Sequence, residues 1–175
     1  MRLKNIVRHT NKIEFQTEKI SSDGGKEAKK TTAKEAPLKS FNDSMDELSI
    51  VVQRINNFTD EQMELVKILG IDVAYMKNGG RAVSIRWEKV TEINGVQHIL
   101  TNKKYTFHID REEDADGNKK GRLLLDDQSN KIVHTFLNEA DKYVKGDRQQ
   151  QRLPLPDEEA NIEPTEGEQV QAELV

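Results

Sequence analysis

The dipeptide Asn94-Gly95 constrains this chain more than any other feature. A two-residue hairpin turn of type I′ needs positive φ at both central residues, and Asn-Gly adopts it at little cost. The pair lies in the stretch 66–107, VKILGIDVAYMKNGGRAVSIRWEKVTEINGVQHILTNKKYTF. Ile71, Val73 and Tyr75 alternate with polar or small residues, and so do Val83, Ile85 and Trp87. That period of two fits strands buried on one face. Asn78-Gly79-Gly80 joins these two runs, and Asn94-Gly95 joins the second to a third, VQHILTNKKYTF. The stretch predicts a three-stranded antiparallel meander. Gly70, just ahead of the first alternation, marks a bulge or the true strand start.

Such a sheet needs a cover for its apolar face. Phe41, Met45, Leu48, Val52 and Ile55 follow one another at spacings of four, three, four and three, the stripe of an amphipathic helix. Ser40, with Asp43 three residues on, is the expected N-cap, and Asn56-Asn57 the expected end. Thr59 is expected to cap a short turn through Leu65. A second stripe, Ile132, Val133, Phe136, Leu137, Ala140, Tyr143 and Val144, follows Asp126 and Asp127 as N-cap candidates and precedes Gly146. The expected fold class is α+β, an antiparallel sheet packed against two amphipathic helices.

The ends differ from this body. Ile13, Phe15 and Thr17 alternate with Glu14, Gln16 and Glu18 as a strand, and SSDGG at 21–25 is a turn. The following KEAKKTTAKEAP has almost no apolar content, which favours a solvated, mobile arm. The alternative is the polar return strand of an N-terminal hairpin that would extend the meander. Beyond Gly146 the chain holds three of its four prolines and many acids, the composition of a disordered tail. The expected organisation is a basic arm or β-hairpin at 1–36, an α+β domain at 37–146 and an acidic disordered tail at 147–175. The middle segment, of roughly 110 residues, can sustain one core. The polypeptide between Phe107 and the second helix, 108–122, is expected to be an exposed loop or a two-stranded flap.

Charge follows the same division. Residues 1–40 carry ten Lys/Arg against five Asp/Glu, a net of +5, and 149–175 carry one Arg against seven acids, a net of −6. With −4 overall, the chain as a whole does not attract nucleic acid or anionic lipid. Any phosphate contact is expected from the basic front, at Lys26, Lys29, Lys30 and Lys34, although a charge run is usually a solvated face. Arg81, Arg86, Trp87, Lys89, Lys103 and Lys104 also put basic and aromatic residues on the sheet, but Trp87 shares a face with Val83 and Ile85 and is expected in the core.

Few residues suggest chemistry. The absence of cysteine excludes disulfides, thiolate metal sites and a Cys nucleophile, and suits a cytosolic compartment. No run is apolar enough for a signal peptide or a bilayer span. The four histidines, His9, His98, His108 and His134, are scattered, so no zinc site is expected. DADGN at 114–118 suggests a calcium loop, but with Glu112, Asp114 and Asp116 in the first ligand positions the twelfth falls on Leu123, where a bidentate Glu is needed. No nucleophile elbow, phosphate loop or dinucleotide fingerprint is present. The expectation is a protein without catalytic residues, metal or cofactor.

The tail carries a more specific signal. QQRLPL, 150–155, has the form Q-x-x-L-x-L and resembles the hexapeptide by which bacterial polymerases and repair proteins dock on the DNA sliding clamp. Gln150 would make the polar contacts, and Leu153 and Leu155 would fill the apolar pocket. The wider layout resembles a family of small proteins encoded by tailed phages and prophages. Pro37, Ser40 and Phe41 stand before the first helix, Ile71 and Val73 open the sheet, and Lys145, Gly146 and Arg148 close the last helix. Members often end in a Q-x-x-L-F-like tail, where this chain has Leu153-Pro154-Leu155. The resemblance implies a phage origin and a role near replication or recombination, and no known activity. With the tail peptide, the leading expectation is a non-enzymatic phage accessory protein in the cytoplasm of a bacterial host, tethered to the host clamp. An inhibitor of host defence that binds a protein or small nucleotide, and a nucleic-acid binder using the basic front, are the alternatives.

Overall fold

The computed structural model describes residues 1–77, 79–101, 105–110, 112–113, 119–120 and 124–146. The hairpin around Asn94-Gly95 forms as its sequence demands. β4 (Val66–Tyr75) pairs antiparallel with β5 (Arg81–Ile93), and β5 with β6 (Val96–Thr101). Asn94 and Gly95 take φ values of 54° and 77°, the positive pair a type I′ turn requires. β7 (Phe107–His108) pairs with β5 at Val83 and Ala82, beyond the reach of β6. Within the segment expected to be a loop or a two-stranded flap, the described residues β8 (Glu112–Glu113) and β9 (Lys119–Lys120) pair antiparallel.

The basic front is ordered sheet, not a mobile arm. β1 (Arg2–Arg8), β2 (Ile13–Ile20) and β3 (Lys26–Ala33) continue the same sheet, with β1 paired to β4. The strand order is β3-β2-β1-β4-β5-β6, antiparallel throughout. β3 has little to bury because it is an edge strand, where lysines serve to block further pairing. Only Ala33 of that strand is buried. β1 is hidden from a period-of-two reading by a bulge between Leu3 and Asn5, which puts buried Leu3 and Ile6 three apart.

Both long helices lie on one face of the sheet. α1 (Lys39–Asn56) buries Phe41, Met45, Leu48, Val51 and Val52, and ends at Asn57 with φ 51°. Its start differs from the expected capping box. Leu38 is the N-cap, without a side-chain cap bond, and Ser40 already lies inside the helix. The Ser40 hydroxyl instead donates to Glu139 Oε2 at 2.6 Å, while Asp43 accepts from Lys39 Nζ. A tertiary acceptor has taken the hydroxyl that a local cap would have used. α2 (Asp60–Met63) has the expected Thr59 cap, completed by Gln62. α3 (Asp127–Lys145) is capped by Asp126, which accepts from Ser129 N and Ser129 Oγ, and it ends at Gly146 with φ 106°.

The core lies between these layers. Phe41 of α1 meets Phe136 and Tyr143 of α3 at ring separations of 5.5 and 5.1 Å, and Phe15 of β2 meets Tyr143 edge-on at 6.1 Å. Each such ring contributes about 2 kcal/mol by burial, with roughly 1 kcal/mol more from favourable ring geometry. The Tyr143 hydroxyl donates to Glu35 O at 3.1 Å, which ties the segment between β3 and α1 to the last helix. Trp87 is buried against Phe58, edge-to-face at 5.4 Å, as its strand face predicts. No helix among the described residues is long and apolar enough to cross a membrane.

Candidate nucleic-acid interface

β3 spreads the four lysines of the basic front rather than grouping them. Lys26 and Lys34 lie at opposite ends of a run roughly 27 Å long at strand rise. Lys30, on the face away from the helices, is 2.8 Å from Glu14. Lys12 reaches the same carboxylate at 2.7 Å. Hydrogen bonds from Lys12 and then Lys30 hold the Glu14 pKa down at about 2. Lys34 lines a cavity of about 250 Å³ with Arg8, His9 and Lys12. Two cations there have carboxylate partners, since Arg8 pairs with Asp46 at 2.9 Å and Lys12 with Glu14.

The other end of the sheet is different. The bulged start of β1 brings Arg2 and Lys4 beside the end of β4, where Tyr75 stands. The Arg2 guanidinium lies 5.0 Å from the centre of the Tyr75 ring and the Lys4 ammonium 5.5 Å. Lys26, from the start of β3, and Lys77, just past β4, complete a cradle of about 290 Å³ with them. Glu18 is the one carboxylate in its wall, and Ile20 and Met76 supply apolar surface. Among the described residues none of these four cations has an ion-pair partner. Burial pushes the Tyr75 hydroxyl pKa up, against the pull of Arg81 and Arg2.

Sequence reasoning found only Lys26 of this group. Arg2, Lys4, Tyr75 and Lys77 were missed because they come together through the β1–β4 pairing, which the bulge conceals. Lys29 lies on the edge strand and is exposed. Gln150, Leu153 and Leu155 of the clamp-like peptide lie outside the described residues, as do the acidic tail and most of the calcium-like run.

A cluster at Arg81, Asp110 and His134 looks superficially catalytic. Arg81 Nε and Nη2 donate to Asp110 at 2.7 and 2.9 Å, and Arg81 N donates at 2.9 Å. The Arg81 hydrogen bonds hold the Asp110 pKa below the usual carboxylate range. His134 Nε2 lies 3.3 Å from Ile109 O, and Nδ1 lies 3.5 Å from Arg81 Nη2. These contacts fasten α3 to the strand ends. Asp72 and Arg86 form a similar bidentate clasp between β4 and β5 on the open face. Among the described residues no group of three His, Asp or Glu could hold a metal ion.

No protein-family model, curated protein or solved structure matches this chain.

Proposed function

We propose that this protein binds nucleic acid by its phosphates, through the Arg2–Lys4–Lys26–Lys77 cradle around Tyr75. The observation that carries the reading is four convergent cations without ion-pair partners among the described residues, beside one carboxylate. Cations without carboxylate partners among the described residues can neutralise phosphates directly and release the counterions held there. With Arg2 and Lys4 held on the Tyr75 ring, recognition rests on charge rather than on base edges, and affinity is insensitive to sequence. The paired cations at the Lys34 end contribute less, because a phosphate there must displace a carboxylate.

The test is fluorescence anisotropy with labelled single-stranded and duplex oligonucleotides over a salt series. Binding in the micromolar range is expected at about 100 mM salt, with a log–log salt slope of about −3 for four contacts. Lys26→Ala with Lys77→Ala should weaken it at least tenfold and reduce the slope by about 2. Lys34→Ala should weaken it far less, because the cations around it already hold carboxylates. Equal loss from Lys34→Ala, or binding indifferent to salt, would overturn the assignment.

A second reading rests on the sequence QQRLPL, which starts at Gln150 just past the Gly146 cap of α3. A hexapeptide beyond a folded body suits docking on a bacterial sliding clamp, with Gln150, Leu153 and Leu155 as anchors. A phage accessory protein working near replication would use the clamp for location and the cradle for nucleic acid. Clamp recovered equally by the parent chain and by Gln150→Ala with Leu153→Ala would remove this reading and leave the cradle untouched.

A further inference from the structure

The two edges of the sheet are built in opposite ways. β3 carries Lys26, Lys29 and Lys30 along eight residues, a guarded edge. β6, VQHILT, carries no Asp, Glu, Lys or Arg, and every one of its residues is exposed. Ile99 is 63% exposed, Val96 57% and Leu100 54%, and Ile93 across the turn is 55%. Among the described residues nothing pairs with the outer side of β6, and an uncharged apolar edge is a template for another strand.

The backbone parity of β6 limits how it can be used. Ile93 and Val96 close the two-residue turn, so they form a hydrogen-bonded pair, and pairs alternate from there. Val90 N–H agrees with that count, since it points the other way, to Leu65 O at 3.1 Å. The N–H and C=O groups of Gln97, Ile99 and Thr101 therefore face outward. These three residues are symmetric about Ile99. We propose that β6 pairs antiparallel with β6 of a second copy of this chain, with Ile99 on the twofold axis, so that one sheet runs through both protomers.

In this register Ile99 packs on the partner's Ile99, and Gln97 lies opposite the partner's Thr101. On the helix side, Leu100 lies opposite the partner's His98. Apolar meets apolar and polar meets polar at the outward-bonding positions, and no like charges are opposed. A register with His98 on the axis would have to draw on Gly95 in the turn. The strand edges and exposed side chains supply on the order of 1,000 Å² of total buried surface, the low end for specific interfaces. The dimer is accordingly concentration-dependent.

Sedimentation of the full chain over a concentration series should show the mass double toward high micromolar concentration. Ile99→Lys, which sets two ammonium groups against each other on the axis, should weaken association at least tenfold while circular dichroism stays unchanged. Because the chain has no cysteine, register can be tested directly. Ile99→Cys places two α-carbons about 5.5 Å apart, within disulfide reach. His98→Cys places them roughly 8 Å apart, beyond it. Mild oxidation should link the first variant and not the second. A chain that stays monomeric would overturn the proposal and leave β6 to a strand of a different protein. A dimer insensitive to Ile99→Lys, or equal cross-linking of both cysteine variants, would overturn it as well.

Discussion

Gly70 joins the two halves of the sheet, and its replacement by alanine should separate them. The residue sits at a bulge in β4 with φ +155°, opposite Val7 of β1. A Cβ there would lie 2.0 Å from Ile6 O, 2.9 Å from Ile6 C and 2.9 Å from Val7 Cα. An ordinary C···O approach is about 3.3 Å, so the overlap exceeds an ångström and falls on backbone, which cannot rotate aside as a side chain can. β1 must retreat from its three paired positions, Asn5↔Asp72, Ile6↔Ile71 and Val7↔Gly70. Losing two or three of those hydrogen bonds costs about 1 kcal/mol each. The unfavourable φ adds about 1–2 kcal/mol, for a total of about 4 kcal/mol. Set against a typical stability of about 5–15 kcal/mol, that is between roughly a quarter and most of the total. A urea titration should show the midpoint fall by about 2 M for an m-value near 2 kcal/mol/M. Gly24→Ala separates the two contributions, because Gly24 has φ +83° but nothing within 4 Å of an added Cβ. It should cost only about 1 kcal/mol. A Gly70→Ala midpoint within about 0.5 M of the parent would refute the close approach of β1 and β4. It would also remove the physical basis of the cradle, since Arg2 and Lys4 belong to β1, Tyr75 to β4 and Lys77 to the residues just past it.

Other consequences can be measured separately. The Glu14 carboxylate should titrate near 2 by NMR, and Lys12→Ala with Lys30→Ala should raise it toward the ordinary 4.5. Since the folded pKa is the lower one, the stabilisation from this group is complete above about pH 4.5 and fades as pH falls toward 2. A Glu14 pKa of 4.5 in the parent chain would show that the ion pairs do not form in solution. Asp126→Ala removes the cap of α3 and its contact with Arg54, and should cost about 1–2 kcal/mol in a urea melt. The Asp126 pKa is lowered by its bonds from Ser129, so that contribution too is present at neutral pH and lost in acid.

The fold was legible where local chemistry and tertiary context agree. The Asn94-Gly95 turn, the core place of Trp87, both helical stripes and the Thr59 and Gly146 caps all follow from short-range patterns that packing reinforces. The misses have equally specific causes. β1 was lost because a bulge breaks its period, and the order of β3 because an edge strand has no need of apolar residues. Ser40 was misassigned because Glu139, ninety-nine residues away, competes for its hydroxyl. The cradle was illegible for a related reason. Its residues come from the ends of separate elements, and only the pairing of β1 with β4 brings them together.

The two proposed surfaces use different parts of one sheet, and that makes their independence testable. The cradle gathers at Tyr75, on the end of β4, whereas β6 is the edge beyond β5. If each works alone, Ile99→Lys should leave the salt slope per protomer unchanged, and Lys26→Ala with Lys77→Ala should leave the dimer intact. If a single nucleic acid spans two protomers, the surfaces are coupled, and coupling between binding equilibria is reciprocal. Oligonucleotides long enough to reach both cradles would then tighten the dimer by the factor with which dimerisation tightens their binding. Short oligonucleotides would do neither. The length dependence of dimerisation therefore distinguishes a protein with two separate contacts from one that assembles on its ligand.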